Sequence, residues 1–416
     1  MRKFFFHLIK RLKILGFLYY TKRFFFFLTL NPIILIISII LYPFLHIKFC
    51  FLKTKWLGQM VIIPELVLLE KEFLYKKKTI IFFISDNFIC NEYFFKKLKK
   101  KIIILPYYFK IVYDSLLFLS SINYFFKNLL VYRSMQAYDH FDLLNKSEVI
   151  FNLTDREINE GNKIILDKIP KINNGIILLC CRDEDYNKNQ FKDTNWENLN
   201  YRNYNIELFR ETIEYLNKKK FVVLRMGKYS SVKINYKNEY FIDYVNSSWK
   251  SEFMDYFLAY KSKMCITTNT GMDVFARLFR KPMAQILFPL EDIYYFQKNI
   301  FNITGTFKNK RSKDILTLKE IFKHKLHSFS SLNNLTDYEL IKNTSSEIKD
   351  FIIEVIERLD NKILITEDDK ARQLSFWKIF FESQKIIGDP LYLTRNYKNK
   401  DNFSYSYLKK NNNFLR

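Results

Sequence analysis

The sequence predicts an α/β protein with two doubly wound parallel sheets, preceded by a hydrophobic helical segment that associates with a membrane. Two observations support this prediction. The 416 residues suffice for two domains with separate cores, and short apolar runs alternate with longer amphipathic ones. Because 49% of residues are apolar and only 8 are glycine and 8 proline, we expect almost all of the chain to fold.

The first 52 residues combine a basic arm with a candidate membrane anchor. Residues 24–47 contain no Asp, Glu, Lys or Arg and are numerous enough to cross a bilayer, which takes about 20 residues. The arm before them is basic and has no acid, which suits inner-membrane lipids with anionic headgroups. Asn31-Pro32 and Pro43 interrupt the run. A single crossing with the basic arm inside would place the body outside the cytoplasm, so we expect a re-entrant or in-plane anchor or an outward N-terminus, and a buried helix hairpin is the alternative. We expect the protein on the cytoplasmic face of the inner membrane.

Residues 53–170 are predicted to form the N-terminal domain. Apolar runs typical of buried strands alternate there with amphipathic stretches typical of helices. A polar stretch at 155–174, holding Gly161 and Pro170, places the domain boundary after residue 170. The predicted elements are helix 66–76, strand 80–85, helix 92–100 and strand 101–105.

Residues 171–390 are predicted to form the second domain, with the same rhythm of short strands and helices. An amphipathic helix is expected at 374–388, and residues 391–416, rich in Asn and Lys with little periodicity, are expected to be a mobile tail. The other predicted elements are strand 176–181, helix 206–219, strands 221–226 and 240–244, helix 251–261, strand 264–268, helix 272–279 and strand 283–286.

The net charge of +24 raises the possibility of a nucleic-acid partner. The lysines are scattered, however, and the runs at 76–78, 96–101 and 218–220 fall where helices should end, a position in which cations favour the helix dipole. A nucleic-acid-binding protein is also not expected to carry an apolar membrane anchor. We therefore expect no nucleic-acid partner.

The five cysteines show no CxxC spacing, which argues against both a zinc site and a disulfide framework. Several lie in apolar, strand-like runs, where a free thiol packs as a small hydrophobe, so a reducing compartment is expected. With five histidines, a histidine-rich metal site is not predicted. The motifs GxGxxG, GxxxxGK[ST], GxSxG and HExxH are absent.

Three predicted strand ends carry candidate chemistry, because ligands of parallel sheets bind at the carboxyl ends of the strands. The first is CCRDEDY at 180–186, where Asp183 or Asp185 could act as a general base. The alternative is a solvated turn. The order Asp-Glu-Asp at 183–185 also has the form of a DxD metal motif, which leaves metal use open at this point.

The other two strand ends could bind phosphate. Arg225 can pair bidentately with a phosphate, and Gly227 allows close backbone approach. The motif TTNTGMD at 267–273 opens a helix, so the backbone N–H groups around Asn269, Thr270 and Gly271 could accept phosphate oxygens. The alternative for this motif is an ordinary helix N-cap.

Taken together, these motifs resemble those of a family of bacterial glycosyltransferases associated with surface-polysaccharide clusters. The resemblance covers residues 175–288 and rests on CCRDEDY, NYRN at 200–203, VVLRMG at 222–227, CITTNTG at 265–271 and RKP at 280–282. WLGQ at 56–59 loosely matches the family's N-terminal motif, with Gln59 where a His is common.

The resemblance implies a GT-B architecture of two facing Rossmann-like domains, the second binding a nucleotide-sugar donor and the first a glycan or lipid-linked acceptor, with no metal or cofactor. It implies a glycosyltransferase that moves a sugar to a cell-surface glycan or glycolipid. The alternative is a non-catalytic binding module in polysaccharide assembly. Asp183 becomes the candidate base, with Asp185 beside it, and the candidate donor-binding residues are Arg182, Tyr186, Arg202, Asn203, Arg225, Gly227, Asn269, Thr270 and Gly271.

Overall fold

The computed structural model describes residues 29, 32–34, 36–131, 139, 141–169, 171–183, 185, 188, 201–288, 290, 293, 297–328, 335–386 and 401–416, and the structural statements below concern these residues. The chain divides into two compact units, Met1–Ala137 and Tyr138–Arg416. Both contain parallel sheets with helical connections, which confirms the prediction of an α/β protein with parallel sheets.

The first unit contains a three-stranded parallel sheet in the order β1-β2-β3. One helix connects each pair of consecutive strands, as parallel pairing requires, and a third helix and a 3-10 turn follow β3. The elements are β1 (His46–Leu52), α1 (Leu57–Leu74), β2 (Thr79–Ser85), α2 (Glu92–Lys99), β3 (Ile103–Leu105), α3 (Lys110–Ile122) and the 3-10 turn Tyr124–Leu129.

Local sequence explains the bounds of α2. The Asn91 side chain accepts a hydrogen bond from the backbone N–H of Phe94 at 2.8 Å and so caps the helix. Lysines fill its last turn, where they favour the helix dipole. Phe94 and Leu98 lie four residues apart on one face, and both are fully buried.

The N-terminal prediction needs a correction, because residues 46–52 are not part of an anchor. They form β1, pair along their length with β2, and bury Phe49, Cys50 and Leu52 in the core. The uncharged run that was predicted as one segment ends inside this strand. A buried parallel strand is as apolar as a membrane helix, so composition alone does not separate the two. Residues 24–28, 30, 31 and 35 of that run lie outside the described residues, and among the described ones no helix is long and apolar enough to cross a membrane.

The second unit contains a six-stranded parallel sheet in the order β6-β5-β4-β7-β8-β9, with a separate antiparallel pair β10-β11. Numbered from the first strand of the sheet, this is the order 3-2-1-4-5-6 of a doubly wound dinucleotide-binding sheet, which reverses between β4 and β7. The strands are β4 (Ile176–Cys180), β5 (Val222–Arg225), β6 (Phe241–Ile242), β7 (Met264–Thr267), β8 (Met283–Leu287), β9 (Ile300–Thr304), β10 (Thr306–Asn309) and β11 (Tyr338–Ile341).

Helices cover this sheet and enclose one large apolar core. Several begin at capping boxes, in which a threonine caps the helix and a glutamate three residues later bonds back to it. The helices are α4 (Asp155–Lys168), α5 (Arg210–Lys218), α6 (Glu252–Lys261), α7 (Val274–Leu278), α8 (Leu318–Lys323), α9 (Ser345–Leu359), α10 (Glu367–Ile386) and α11 (Tyr405–Lys410).

The unit boundary differs from the predicted one after residue 170. The polar stretch read as a hinge is mostly the helix α4, which lies within the second unit. Gly161 is the reason that α4 fits there, because a Cβ at this position would lie 2.3 Å from the ring of Phe257 in α6. Gly161 therefore marks a close helix contact and not a flexible joint.

The predicted mobile tail is also corrected over residues 401–416. Phe403 is fully buried and stacks on Phe376 of α10, with ring centroids 4.0 Å apart. Glu354 of α9 accepts hydrogen bonds from the backbone N–H groups of Tyr405 and Ser406. Aromatic burial holds this segment although its composition is polar overall, and composition alone therefore misled the prediction. Residues 391–400 lie outside the described residues.

Candidate functional site

The carboxyl ends of β4 and β7 meet at the point where the strand order of the second unit reverses. Cys180 at the end of β4 pairs with Thr267 at the end of β7. In sheets of this order, ligands bind in the crevice outside these two strand ends. The residues that follow β4 and β7 are therefore the first candidates for a binding site.

The two loops that follow these strands are hydrogen-bonded to each other. The backbone N–H of Thr268 donates to the carbonyl of Cys180 at 3.1 Å. In return, the backbone N–H of Arg182 donates to the hydroxyl oxygen of Thr268 at 2.7 Å. These bonds fix the backbone of Arg182 relative to the end of β7.

Three cationic side chains gather around Asn203, and we call these four residues the basic cluster. Arg182 Nε donates to Asn203 Oδ1 at 3.3 Å, and Lys342 Nζ donates to the carbonyl of Asn203. Arg202 Nη2 donates to the backbone oxygen of Asn269 at 2.8 Å, which holds Arg202 against the loop after β7. The basic cluster therefore connects the loop after β4 with the loop after β7. These loops lie on either side of the point where the strand order reverses, which we call the switch point.

The electrostatics of the basic cluster favour an anionic ligand. Burial, and next the charge of Arg202, lower the pKa of Arg182 to about 10, so its guanidinium stays cationic at neutral pH. Burial also lowers the pKa of Lys342. Both shifts express the cost of holding a charge away from water, to which Arg182 adds the repulsion of Arg202, and a bound anion would relieve that cost. Arginine is well matched to phosphate oxygens.

The loop after β7 satisfies most of its own backbone N–H groups. Thr270 and Asp273 form a capping box, in which the backbone N–H of Met272 donates to Thr270 Oγ1 and that of Thr270 to Asp273 Oδ2. The N–H of Asn269 donates to Thr267 Oγ1 at 3.0 Å. The loop at Asn269, Thr270 and Gly271 was predicted as a phosphate cradle, with an ordinary N-cap as the alternative. Its geometry is that of the N-cap.

Asp273 is the buried centre of this loop. Its Oδ2 accepts a 2.6 Å hydrogen bond from the hydroxyl of Thr267. Burial raises the pKa of Asp273 to about 6, while the bond from Thr267 acts in the opposite direction. The neighbouring charge of Arg202 also stabilises the ionised form. Asp273 therefore organises the loop that holds Arg202.

The structure places Arg225 in the protein interior, where its guanidinium is already engaged. Its side chain is 3% exposed. Nη1 donates to the carbonyl of Val232 at 2.6 Å, and Nη2 donates to Ser230 Oγ at 2.7 Å. Two carboxylates flank it, with Asp183 Oδ2 at 3.7 Å and Asp243 Oδ1 at 3.6 Å. This environment gives Arg225 a structural role.

The two carboxylates predicted as bases hold the segment after β5. Asp183 Oδ2 accepts from Ser230 Oγ at 2.6 Å, and Asp185 Oδ2 accepts from both the backbone N–H and the hydroxyl of Ser231 at 2.6 Å. Burial raises the pKa of Asp183. At Asp185, burial acts in the same direction, but the bonds from Ser231 outweigh it and lower the pKa.

The remaining predicted positions are less informative. Gly227 lies beside Val245, and a Cβ at Gly227 would approach Val245 Cγ2 to 3.0 Å, so its small size serves packing. Tyr186 and the middle residue of the DxD sequence, Glu184, lie outside the described residues. Within the described residues, no group of three or more His, Cys, Asp or Glu side chains could hold a metal ion.

Lys342 is the site residue that sequence reasoning missed. It follows β11, a strand that was not predicted, and single lysines in a lysine-rich sequence carry no signal. The structure shows why it reaches the site: its ammonium group lies 4.9 Å from the ring centroid of Tyr204, next to Asn203. Gly305 allows β11 to approach, since a Cβ there would lie 2.6 Å from the carbonyl oxygen of Ile341.

Two solved glycosyltransferase structures align with the chain at low similarity. One is a glycosyl transferase family 9 protein from Veillonella parvula, with a TM-score of 0.43 and 7% identity over 75% of this chain and 97% of that one. The other is the ADP-heptose LPS heptosyltransferase II of E. coli, with a TM-score of 0.36 and 10% identity over 76% of this chain and all of that one. No protein-family model and no curated protein matches the sequence. At these scores, the function has to be argued from the chain's own residues.

Proposed function

We propose that the protein is a glycosyltransferase that takes a sugar from a nucleotide-activated donor bound at the switch point of the second unit. The observation that carries this proposal is the position of Arg182 and Arg202, two cations that meet where a doubly wound sheet binds its ligand. A nucleoside diphosphate presents the anionic oxygens that such a pair can bind. The sequence resemblance supports the same class of donor.

The basic cluster supplies the chemistry that sugar transfer needs most. Negative charge develops on the diphosphate as its bond to the sugar breaks, and fixed cations in a water-poor site stabilise that charge. Arg182, Arg202 and Lys342 are half-buried and held by hydrogen bonds before any ligand arrives. We therefore propose that these side chains do the work that a metal ion does in metal-dependent transferases.

In this proposal Asp183 and Asp185 serve as positioning residues and not as the base. Each is committed to a serine of the segment after β5, and Asp183 also lies beside the buried Arg225. A general base needs an oxygen within hydrogen-bond reach of the acceptor hydroxyl. We propose that the acceptor, a glycan or lipid-linked sugar on the cytoplasmic side of a membrane, is bound by the first unit.

A transfer assay tests the proposal. The full chain is incubated with UDP-, GDP-, ADP- and CMP-linked sugars and a bacterial membrane extract as acceptor source, and released nucleotide is measured. We expect release with one donor class, loss of release in Arg202→Ala, unchanged release in the exposed-surface control Arg210→Ala, and no effect of EDTA. Absence of release with every donor, from a protein that binds none of them, would refute the proposal.

One observation favours a second candidate, a donor-binding module without catalysis. Both carboxylates predicted as bases are engaged in the protein's own network. The same assay separates the two functions, because a binding module would bind one donor and release no nucleotide from it under any acceptor condition.

A further inference from the structure

The amino-terminal edge of the first unit's sheet presents a surface that the proposed chemistry does not use. In consecutive β-α-β units the helix runs back, so each helix end and the turn after it lie at the edge where the strands begin. The backbone N–H of His46, the first residue of β1, donates to the carbonyl of Lys78 at 3.0 Å and shows this directly. The edge opposite to it is the one at which parallel sheets bind ligands.

Large apolar side chains are exposed on this edge and on the helical residues that lead to it. Residues 36–41 are helical, and Leu41 packs on the unit's core while Ile40 is 65% exposed. Phe44, in the turn between this helix and β1, is 82% exposed. Others project at the ends of α1 and α3 and in the following turn: Phe73, Leu74, Ile122 and Tyr124. Clustered exposure of this kind marks an interaction surface.

The apolar side chains are connected in space through the aromatic rings beneath them. The ring of Tyr42, between Ile40 and Phe44 in the chain, packs edge-on against Phe125 at 5.0 Å. Phe125 directly follows the exposed Tyr124. The helix before β1 and the turn after α3 therefore meet at Tyr42, and their exposed side chains belong to one surface.

Two lysine runs reach the same edge. The first, Lys76 to Lys78, forms the exposed turn between α1 and β2, and Lys77 Nζ lies 5.8 Å from the ring centroid of Tyr42. The second, Lys99 to Lys101, forms the exposed end of α2 and the turn before β3. Lys127 Nζ adds a charge 5.2 Å from the ring of Tyr124. An exposed glutamate, Glu72, lies in the last turns of α1 among them.

We propose that this surface, comprising the helix before β1 and the amino-terminal edge of the first sheet, docks on an anionic lipid bilayer. Apolar side chains that enter the headgroup boundary, surrounded by lysines, are the chemistry of in-plane membrane binding. The sequence from residue 1 to residue 64 contains ten Lys and Arg residues and no Asp or Glu, so the charge of this region matches anionic lipid throughout. The proposal does not depend on the enzymatic one.

Vesicle co-sedimentation of the full chain tests the surface. Vesicles of phosphatidylcholine alone are compared with equal parts of phosphatidylcholine and phosphatidylglycerol. We expect binding to the anionic vesicles that decreases with salt. The variant Lys76→Glu/Lys77→Glu/Lys78→Glu should bind at least about 100-fold more weakly, because each cation near such a surface contributes about five-fold.

The chain offers a matched control for this variant. Lys218, Lys219 and Lys220 form the equivalent exposed turn between α5 and β5 in the second unit. The variant Lys218→Glu/Lys219→Glu/Lys220→Glu makes the same change in net charge and should bind vesicles like the wild type. Equal loss in both triple variants would mean that only net charge matters, and would overturn the assignment of the surface.

A second readout tests insertion independently of charge. Phe44→Trp places a fluorophore on the most exposed apolar position of the surface. We expect its emission to shift to shorter wavelength on addition of anionic vesicles and to be quenched by brominated lipid chains. The double variant Ile40→Ser/Phe44→Ser should lose about 10-fold or more in binding. Unchanged emission together with unchanged binding of that double variant would overturn the proposal.

Discussion

Arg202 donates a hydrogen bond to the backbone oxygen of Asn269 over 2.8 Å, and this bond joins the segment before α5 to the loop after β7. Asn269 has a φ of 58°, in the left-handed region, which turns the chain from β7 into the capping box of the next helical turn. Asn269 thus contributes to the site through its backbone, and Arg202 through its charge.

This relationship predicts the behaviour of two substitutions at Asn269. Asn269→Ala should lower the free energy of unfolding by about 1–2 kcal/mol, because a left-handed conformation is costly for alanine. Asn269→Gly should be close to neutral, since glycine adopts it freely. Neither should change nucleotide affinity more than a few-fold, as measured by calorimetry. A large loss of affinity in Asn269→Gly, with stability retained, would show instead that the Asn269 side chain binds the ligand.

Removing Arg225 should destabilise the protein and not merely weaken ligand binding. Arg225→Ala removes a buried cation and leaves the half-buried carboxylates of Asp183 and Asp243 without it, which should cost about 3 kcal/mol, the lower end of the range for breaking a buried ion pair. Urea unfolding measures the change. The control Arg210→Ala removes an exposed arginine paired with Glu214 and should cost less than about 0.5 kcal/mol. Similar unfolding curves for the two variants would contradict the structural role of Arg225.

Stability should fall as the pH rises from 4 to 7 because of Asp255. Burial raises the pKa of Asp255 to about 7 from an ordinary value of 3.8, and a hydrogen bond from Tyr244 Oη at 2.9 Å partly opposes the shift. Between these pH values the native state keeps a proton that the unfolded chain has released, so stability present at low pH is lost, on the order of 4 kcal/mol.

Unfolding free energies at pH 5 and pH 8 test this dependence. Asp255→Asn should reduce the difference, because asparagine can still accept from Tyr244 and carries no titrating group. A smaller slope should remain, since burial also raises the pKa of Asp273, to about 6. An undiminished difference in Asp255→Asn would exclude Asp255 as its main source.

Two glycine substitutions should differ sharply in effect. Gly305→Ala places a Cβ 2.6 Å from the carbonyl oxygen of Ile341, so β11 must move and Lys342 with it. We expect lower thermal stability and weaker nucleotide binding. Gly58→Ala, near the start of α1, meets no atom within 4 Å and should be neutral or stabilise by up to about 1 kcal/mol. A neutral Gly305→Ala in both assays would mean that β11 does not position Lys342.

Sequence pattern predicted β2 to β8, because buried parallel strands are short, apolar and bounded by polar turns, but it missed the first strand of the first sheet, β1, and the last strand of the second, β9. The end of β4 and the loop after β7 were found for this reason, and they lie side by side as strand ends of a doubly wound sheet should. The family resemblance, and not the pattern of strands and helices, singled out Arg182, Arg202 and Asn203, and the structure brings them together.

Other features depended on contacts that pattern does not encode. A run of apolar residues does not say where an exposed helix ends and a core strand begins, so β1 was read as part of an anchor. Arg225, like Arg182, is an arginine at a strand end and was therefore predicted to bind a ligand. Its side chain instead turns inward to Asp183 and Asp243. Four aromatic side chains of the segment 401–416 are buried although its composition is polar overall, and composition alone does not show this: Phe403, Tyr405, Tyr407 and Phe414.

The most direct test of the central claim is calorimetric titration of the full chain with UDP, GDP, ADP and CMP. We predict binding of one nucleoside diphosphate, weakened about 10- to 100-fold in Arg182→Ala and in Arg202→Ala, the usual loss for a charge-assisted hydrogen bond, and unchanged in Arg210→Ala. Failure of the folded wild type to bind any of the four, or undiminished binding in the Arg182→Ala/Arg202→Ala double variant, would contradict a nucleotide-sugar site at the switch point.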